Sequence, residues 1–237
     1  MSKTQNTWVS FYTRFEQGQS TVIWLFLGFF AVRFALFLLS DEGAGDAIAR
    51  VYMAKNIRDY QMWITAGVWL PLHFYLMAVA LFIYNDPLFS PRLVSLLCGT
   101  LIVIPYYYLI KNEFNSRTAI LSILFLLFYN LHVFHSMVSY AESLSVFLVV
   151  SALYFFFAYI RDPDRRLNRI VGASTALAMA CLVRGEGWPL LGLLTLVLCW
   201  FEYPLGVARV LKRMVVFITL PLLSISLWCL SNYIVLG

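Results

Sequence analysis

Three carboxylates, Asp41, Glu42 and Asp46, fall within six residues of a polar-rich interval at 40–71, in a chain that is otherwise almost continuous hydrocarbon. Gly43, Ala44 and Gly45 lie between them and leave them accessible. Accessible carboxylates in such a setting can take a proton from a hydroxyl, bind one, or hold a metal. Two later segments carry the other groups of chemical interest. In HSMVSYAESL (135–144), Glu142 opens an apolar run, with His135, Tyr140 and three serines around it. A carboxylate at a helix N-terminus is stabilised by the helix dipole, so capping and the binding of a hydroxylated substrate or a metal are both open for Glu142. In LVRGEGWP (182–189), Arg184 is a fixed cation of the type suited to planar capture of phosphate, and Glu186 is a partner within its reach. Gly185 and Gly187 are expected to let the backbone turn tightly there, with Pro189 in the first turn of the next helix.

The elements that would position these groups are membrane helices. Of 237 residues, 62% are hydrophobic and 12% charged, with a mean hydropathy of +0.80; soluble domains carry roughly 25% charged residues. Apolar runs at 21–39, 93–110, 118–135, 141–159, 170–183, 189–201 and 214–235 read as spans. The net charge of +5 does not point to nucleic acid, because the basic residues cluster in short loops between apolar runs, as in cytoplasmic loops. Cys98, Cys181, Cys199 and Cys229 sit inside apolar runs without CxxC spacing and read as small buried hydrophobes. His73, His132 and His135 make no zinc pattern. There is no Walker A loop, GxGxxG or GxSxG, so nucleotide hydrolysis, dinucleotide binding and serine-hydrolase chemistry have no support. The first apolar run lacks a small-residue cleavage site and is expected to be a retained helix. Arg33 within it either faces a partner inside the bundle or snorkels to the surface.

Charge weighs on the ambiguous apolar segment at 64–84, where Pro71 equally suits a kinked span. If it does not cross and the amino terminus is inside, the basic loops at 111–117, 161–169 and 208–213 all fall inside; if it crosses, all three fall outside, against the positive-inside rule. The expected fold is therefore an all-α polytopic membrane protein, a single module over 1–237 with about seven transmembrane helices. Residues 1–20 form a cytoplasmic amino terminus. Residues 40–92 form an outer loop of juxtamembrane helices, with 64–84 lying along or dipping into the outer leaflet. A helix is expected at 47–59, with Asp46 as its N-cap, its carboxylate accepting backbone N–H bonds. This topology puts Asp41, Glu42, Asp46, residues 140–142 and residues 184–186 at the outer face, and convergence of carboxylates and an arginine at one end of a bundle is what a site looks like.

The order of features resembles the GT-C superfamily of integral membrane glycosyltransferases, which use polyprenyl- or dolichyl-phosphate sugars. GDAIARVYMAKNI and GVWLPLHFYL are similar to that superfamily's first outer loop, where an acidic residue is followed by two juxtamembrane helices. YAESLSVFLVVSALYFF resembles its second acidic motif, as in the glycosylphosphatidylinositol mannosyltransferase that adds the second mannose and in oligosaccharyltransferase catalytic subunits. ACLVRGEGW resembles the A…R-x-x-G that follows in the same mannosyltransferases and in protein O-mannosyltransferase relatives. Each motif is short and degenerate, and the specificity lies in their order and spacing over most of the chain. Complete members usually continue past the seventh span, so this chain reads as a module without a carboxy-terminal portion or as a minimal member.

The resemblance implies inverting transfer of a sugar, a mannose-like hexose, from a polyprenyl- or dolichyl-phosphate donor to a lipid, glycan or protein acceptor. The reaction would occur at the outer face of a bacterial or archaeal cytoplasmic membrane or the lumenal face of the endoplasmic reticulum. Asp46 is implied as general base, with Asp41 the next carboxylate to consider. Glu142 is implied to orient acceptor or sugar, or to share a divalent metal ion with Asp46 in a member that uses one. Asp41, Glu42, His73, Tyr140, Arg184 and Glu186 are expected to bind substrate, with Arg184 on the phosphate. Two other readings remain: a non-catalytic module or accessory subunit working with a partner subunit, and a small transporter or lipid flippase.

Overall fold

A computed structural model describes residues 3–40, 45–61 and 67–237, and every regular element among them is helical. Helix α1 (Lys3–Leu39) contains the apolar stretch Gln19–Leu39, 21 residues and long enough to cross a bilayer. α2 (Asp46–Tyr60) and α3 (Leu72–Ile83) then pair through Ala54, Ile57, Phe74, Met77, Ala78 and Leu81, all fully buried. α3 has 12 residues, about 18 Å at a 1.5 Å rise per residue, against a hydrocarbon core of about 30 Å. Residues 64–66 of the segment read as lying along the outer leaflet are outside the described residues.

α4 (Phe89–Leu101) and α5 (Val103–Glu113) act as one 25-residue span interrupted at Ile102. Pro105 causes the interruption, since it has no N–H for the Leu101 carbonyl and its ring crowds that carbonyl; the ladder resumes with Tyr106 N–H on Ile102 O at 3.0 Å. The run expected as a single span at 118–135 is instead two helices, α6 (Ser116–Phe128) and α7 (Asn130–Met137), bent by 63° at Tyr129. Asn115 caps α6, its side chain accepting the Thr118 N–H at 2.9 Å. At the other end Arg33, fully buried, reaches from α1 and donates from Nη2 to the Leu126 carbonyl at 3.0 Å, 3.3 Å from His132 Nδ1. At the break the Leu126 carbonyl accepts the Tyr129 N–H at 3.3 Å, and Arg33 adds a second donor where water is absent. Of the two readings open for Arg33, the inward-facing one holds.

α8 (Glu142–Arg161) is a 20-residue span. It packs on α9 (Leu167–Cys181), α10 (Gly187–Glu202, continued to Leu205 by a 3-10 turn) and α11 (Val207–Leu236) around Phe156, Tyr159, Leu177, Leu194 and Phe217. α9, where a span was expected at 170–183, has 15 residues, about 22 Å. Its small residues allow close helix approach: a Cβ on Gly172 would stand 3.1 Å from the Phe155 ring of α8. Five helices, or six counting the bent α6–α7 pair, are long and apolar enough to cross a membrane among the described residues. Large apolar side chains such as Trp24, Phe125, Leu196, Trp200 and Leu223 are exposed on their outward faces, as suits a hydrocarbon solvent. The chain is an integral membrane protein.

The ends of the bundle differ in character. At one end Arg161 pairs with Glu113 of α5. Close by, the buried Glu202 accepts from Tyr159 Oη at 2.9 Å and Arg209 Nε at 2.9 Å, with Arg165 Nη1 at 3.3 Å. All three basic loops meet there. α8 spans from that end to Glu142 at the other, about 30 Å away.

Candidate functional site

The acidic end is assembled from three chain segments held by backbone and arginine contacts. Arg92, buried at the start of α4, donates from Nε to Met137 O at 2.8 Å and from Nη2 to Phe37 O at 3.1 Å, and it also reaches Ser40 O. It thereby ties the end of α1 to the turn before α8. Ser95 Oγ donates to Tyr140 O at 3.2 Å, and Ser143 Oγ to His135 O at 2.7 Å. The Leu72 N–H donates to Leu182 O at 3.0 Å, which fixes the α9–α10 turn against the start of α3. Trp188 Nε1 closes the same turn on Cys181 O at 3.0 Å. Of the two glycines in that turn, Gly187 is required by close approach, since a Cβ there would lie 3.0 Å from Cys181 N, whereas Gly185 faces open space.

These contacts shape a cleft of about 340 Å³ lined by Asp46 and Arg50 of α2, residues 68–70, Tyr140, Glu142 and residues 183–186. Asp46, Tyr140, Glu142, Arg184 and Glu186, five of the residues singled out from the sequence, share this cleft. Asp41 and Glu42 lie outside the described residues. His73 is fully buried behind the cleft, not on its lining, with both ring nitrogens lacking a hydrogen-bond partner among the described residues.

Asp46 is the first residue of α2 and not its N-cap; the cap position is Gly45, at φ +50°, which offers no side-chain cap bond. Tyr140 Oη would stand 3.0 Å from a Cβ at Gly45, so this position needs glycine both for its backbone angle and for the space. The Asp46 side chain is exposed, with no hydrogen bond or ion pair to any described residue. Glu142 Oε1 accepts from Arg184 Nη1, while Oε2 is buried without a partner among the described residues. Arg184 in turn holds Glu186, with Nε 3.1 Å from both carboxylate oxygens and Nη2 2.7 Å from Oε1. This bond raises the Arg184 pKa and lowers that of Glu186.

Arg50, one helical turn after Asp46, had no place in the sequence reading. It is buried, with its guanidinium 5.1 Å from the Trp69 ring centre and 5.7 Å from that of Phe74, and its Nε has no partner among the described residues. Burial lowers its pKa, and the nearby Glu142 and Asp46 charges oppose that shift. The signal that could have found it is the i, i+4 spacing from Asp46, which puts both on one helix face. The cleft thus offers one carboxylate unengaged by any described residue together with two guanidiniums, an arrangement that can take an anion and a proton. Arg184 engages two of the three described carboxylates, and no three His, Cys, Asp or Glu side chains converge as a metal site among the described residues.

A second, mostly apolar groove of about 260 Å³ runs along the other flank of α2, lined by Ala47, Ile48, Val51, Tyr52, Pro87 and Leu88 with Lys55 and Arg92 among them.

Comparison with known proteins places this geometry. The family profile described as "Dolichyl-phosphate-mannose-protein mannosyltransferase" matches residues 66–231, a stretch that begins after Asp46 and includes Glu142 and Arg184. No curated protein matches the chain. Among solved structures, ArnT from Cupriavidus metallidurans bound to undecaprenyl phosphate is similar in fold, with a TM-score of 0.72 at 18% identity over 90% of this chain and 42% of that one. The apo form of the same protein gives 0.68 at 18% identity, over 90% and 43%. This chain therefore spans less than half the length of those structures. The matched profile covers most of the chain, which belongs to the dolichyl-phosphate-mannose-protein mannosyltransferase family, within the GT-C superfamily of integral membrane glycosyltransferases.

Proposed function

We propose that the protein transfers a hexose from a polyprenyl-phosphate donor to an acceptor hydroxyl, with inversion, in the cleft between α2, the α8 N-terminus and the α9–α10 turn. The observation that carries this reading is that Asp46, with no partner among the described residues, lines one cleft together with Arg50 and Arg184. In the reaction, the acceptor oxygen forms a bond to the anomeric carbon as the bond from that carbon to the phosphate oxygen breaks. The bonding pair leaves on the phosphate, and the acceptor proton goes to Asp46. A carboxylate within hydrogen-bond reach of the hydroxyl suffices for this. The lipid phosphate is already a good leaving anion and needs no strong general acid.

Arg184 and Arg50 stabilise the charge that grows on that phosphate, and they are oriented before the reaction, Arg184 by two carboxylates and Arg50 by Trp69 and Phe74. Glu142 keeps Arg184 in place and offers its second oxygen to a sugar or acceptor hydroxyl. The prenyl chain lies in the apolar groove on the opposite flank of α2, where Lys55 and Arg92 are the only charges on the lining among the described residues. ArnT, similar in fold, is described bound to undecaprenyl phosphate, which supports a lipid phosphate as the donor's carrier. Mannose as the sugar rests on the family's description.

The test is turnover of a panel of polyprenyl-phosphate hexoses by the full chain in proteoliposomes, with the anomeric configuration of the product read by NMR. One donor should be consumed with inverted configuration. Retention would overturn the direct displacement, and inertness toward every donor would assign the chain an accessory role in place of catalysis.

A further inference from the structure

The basic end of the bundle has a groove that the proposed reaction does not use. Two neighbouring concavities there share Tyr154 and Phe155 of α8 as their common wall. The upper one, about 440 Å³, lies between the α5 C-terminus, α8 and the start of α9, and its lip carries Arg161, Arg169, Asn112 and Asn168 with no carboxylate among its lining residues. The lower one, about 300 Å³, is almost wholly apolar and continues along α5 and α8 past Tyr108, Pro105 and Ile104 to Phe147. From Arg161 to Phe147 is 14 residues along α8, about 21 Å at 1.5 Å per residue, more than the roughly 15 Å depth of one leaflet's hydrocarbon.

We infer that this groove binds one anionic phospholipid of the leaflet at the basic end, phosphate on the arginine lip and one acyl chain in the apolar arm. Charge and shape both support this occupant. Arg161 is anchored by Glu113, while Arg169 donates from Nη1 to Ala158 O at 2.6 Å and lies 3.4 Å from Asp162. Both guanidiniums are therefore oriented, yet each keeps about a third of its side chain exposed and has further N–H groups to donate, since a guanidinium carries five. The two asparagines are exposed beside them. Basic pockets between helices at the cytoplasmic side are where acidic headgroups bind, and the positive-inside rule assigns this end to that side. The apolar arm begins directly below the lip, at the depth where an acyl chain leaves a headgroup. Gly172 keeps the shared wall in place, because any larger residue there would push the Phe155 ring outward.

The lip can be tested without breaking its ion pairs. Asn112→Glu with Asn168→Glu adds two carboxylates at exposed positions, and a glutamate at 168 falls in the first turn of α9, where the helix dipole favours it. The measurement is thermal unfolding of the purified full chain in neutral detergent with added phosphatidylglycerol, phosphatidylcholine or inorganic phosphate. Phosphatidylglycerol alone should raise the midpoint, by about 5–11 °C at 100-fold excess over its dissociation constant. The double glutamate variant should lose that rise, and Asn112→Lys with Asn168→Lys should enlarge it. An equal rise with phosphatidylcholine, a rise reproduced by inorganic phosphate, or full selectivity in the glutamate variant would each overturn the site. Because no donor sugar is present, this outcome is independent of the transferase reading.

Discussion

Asp46 and Arg50 face the same cleft because they are one turn apart on α2, and their environments divide the chemistry between them. Asp46 is exposed and unengaged, whereas Arg50 is buried under Trp69 and Phe74 with one donor still free. If Arg50 holds the departing phosphate, Arg50→Gln should lower kcat/KM by about 10²–10³, the usual cost of removing one preorganised donor. Arg50→Lys should recover only part of it, because an ammonium is a point charge without the planar fork. Steady-state kinetics on both variants checks this. Gly45→Ala should destabilise the protein by about 1–3 kcal/mol and displace Tyr140, given the φ of +50° and the hydroxyl 3.0 Å from the new methyl group; thermal unfolding reads the first effect. At this scale much was legible in the sequence. Glu142, Arg184 and Glu186 stood out because a charge flanked by apolar runs has few innocuous explanations. Arg50 did not, because a helix in a polar loop is expected to carry solvated charges, and only the tertiary placement of Trp69 and Phe74 buries this one.

Helix breaks and close approaches decide which elements reach the site. α4 and α7 meet at Gly99, where a Cβ would stand 2.3 Å from Ser136 Oγ and 2.9 Å from Ser136 Cβ. Gly99→Ala should therefore cost about 1–3 kcal/mol, as overpacking does, and Gly99→Ala combined with Ser136→Gly should cost less than Gly99→Ala alone, a coupling that a double-mutant cycle on unfolding midpoints measures. The sequence located the apolar elements well, since hydropathy and the loop charges mark their ends. It missed the 63° bend at Tyr129, because no proline or glycine lies at 126–130 to announce it. At the bend the Leu126 carbonyl accepts from the Tyr129 N–H and from a residue 93 positions away, Arg33. Likewise α9, expected as a span at 170–183, is 15 residues long, a length set by the turns at each end.

The whole molecule separates chemistry from anchoring. The cleft with Asp46 lies at one end of α8, and at the other the buried Glu202 joins Tyr159, Arg165 and Arg209 across α8, α10 and α11. Removing one partner of a buried charge cluster leaves the others uncompensated, so Glu202→Ala should cost about 3 kcal/mol and lower the unfolding midpoint by about 6–12 °C. Turnover per folded molecule should not change, because the cluster is about 30 Å from the cleft. The central claim is that Asp46 is the base of a sugar transfer, and its most direct test is Asp46→Asn. This variant keeps the side-chain shape and removes the proton acceptor. Measured on the donor that wild type consumes, with donor binding followed in parallel, the account predicts a kcat about 10²–10⁴-fold lower at unchanged donor affinity and unfolding midpoint. Turnover of Asp46→Asn within a few-fold of wild type would contradict it.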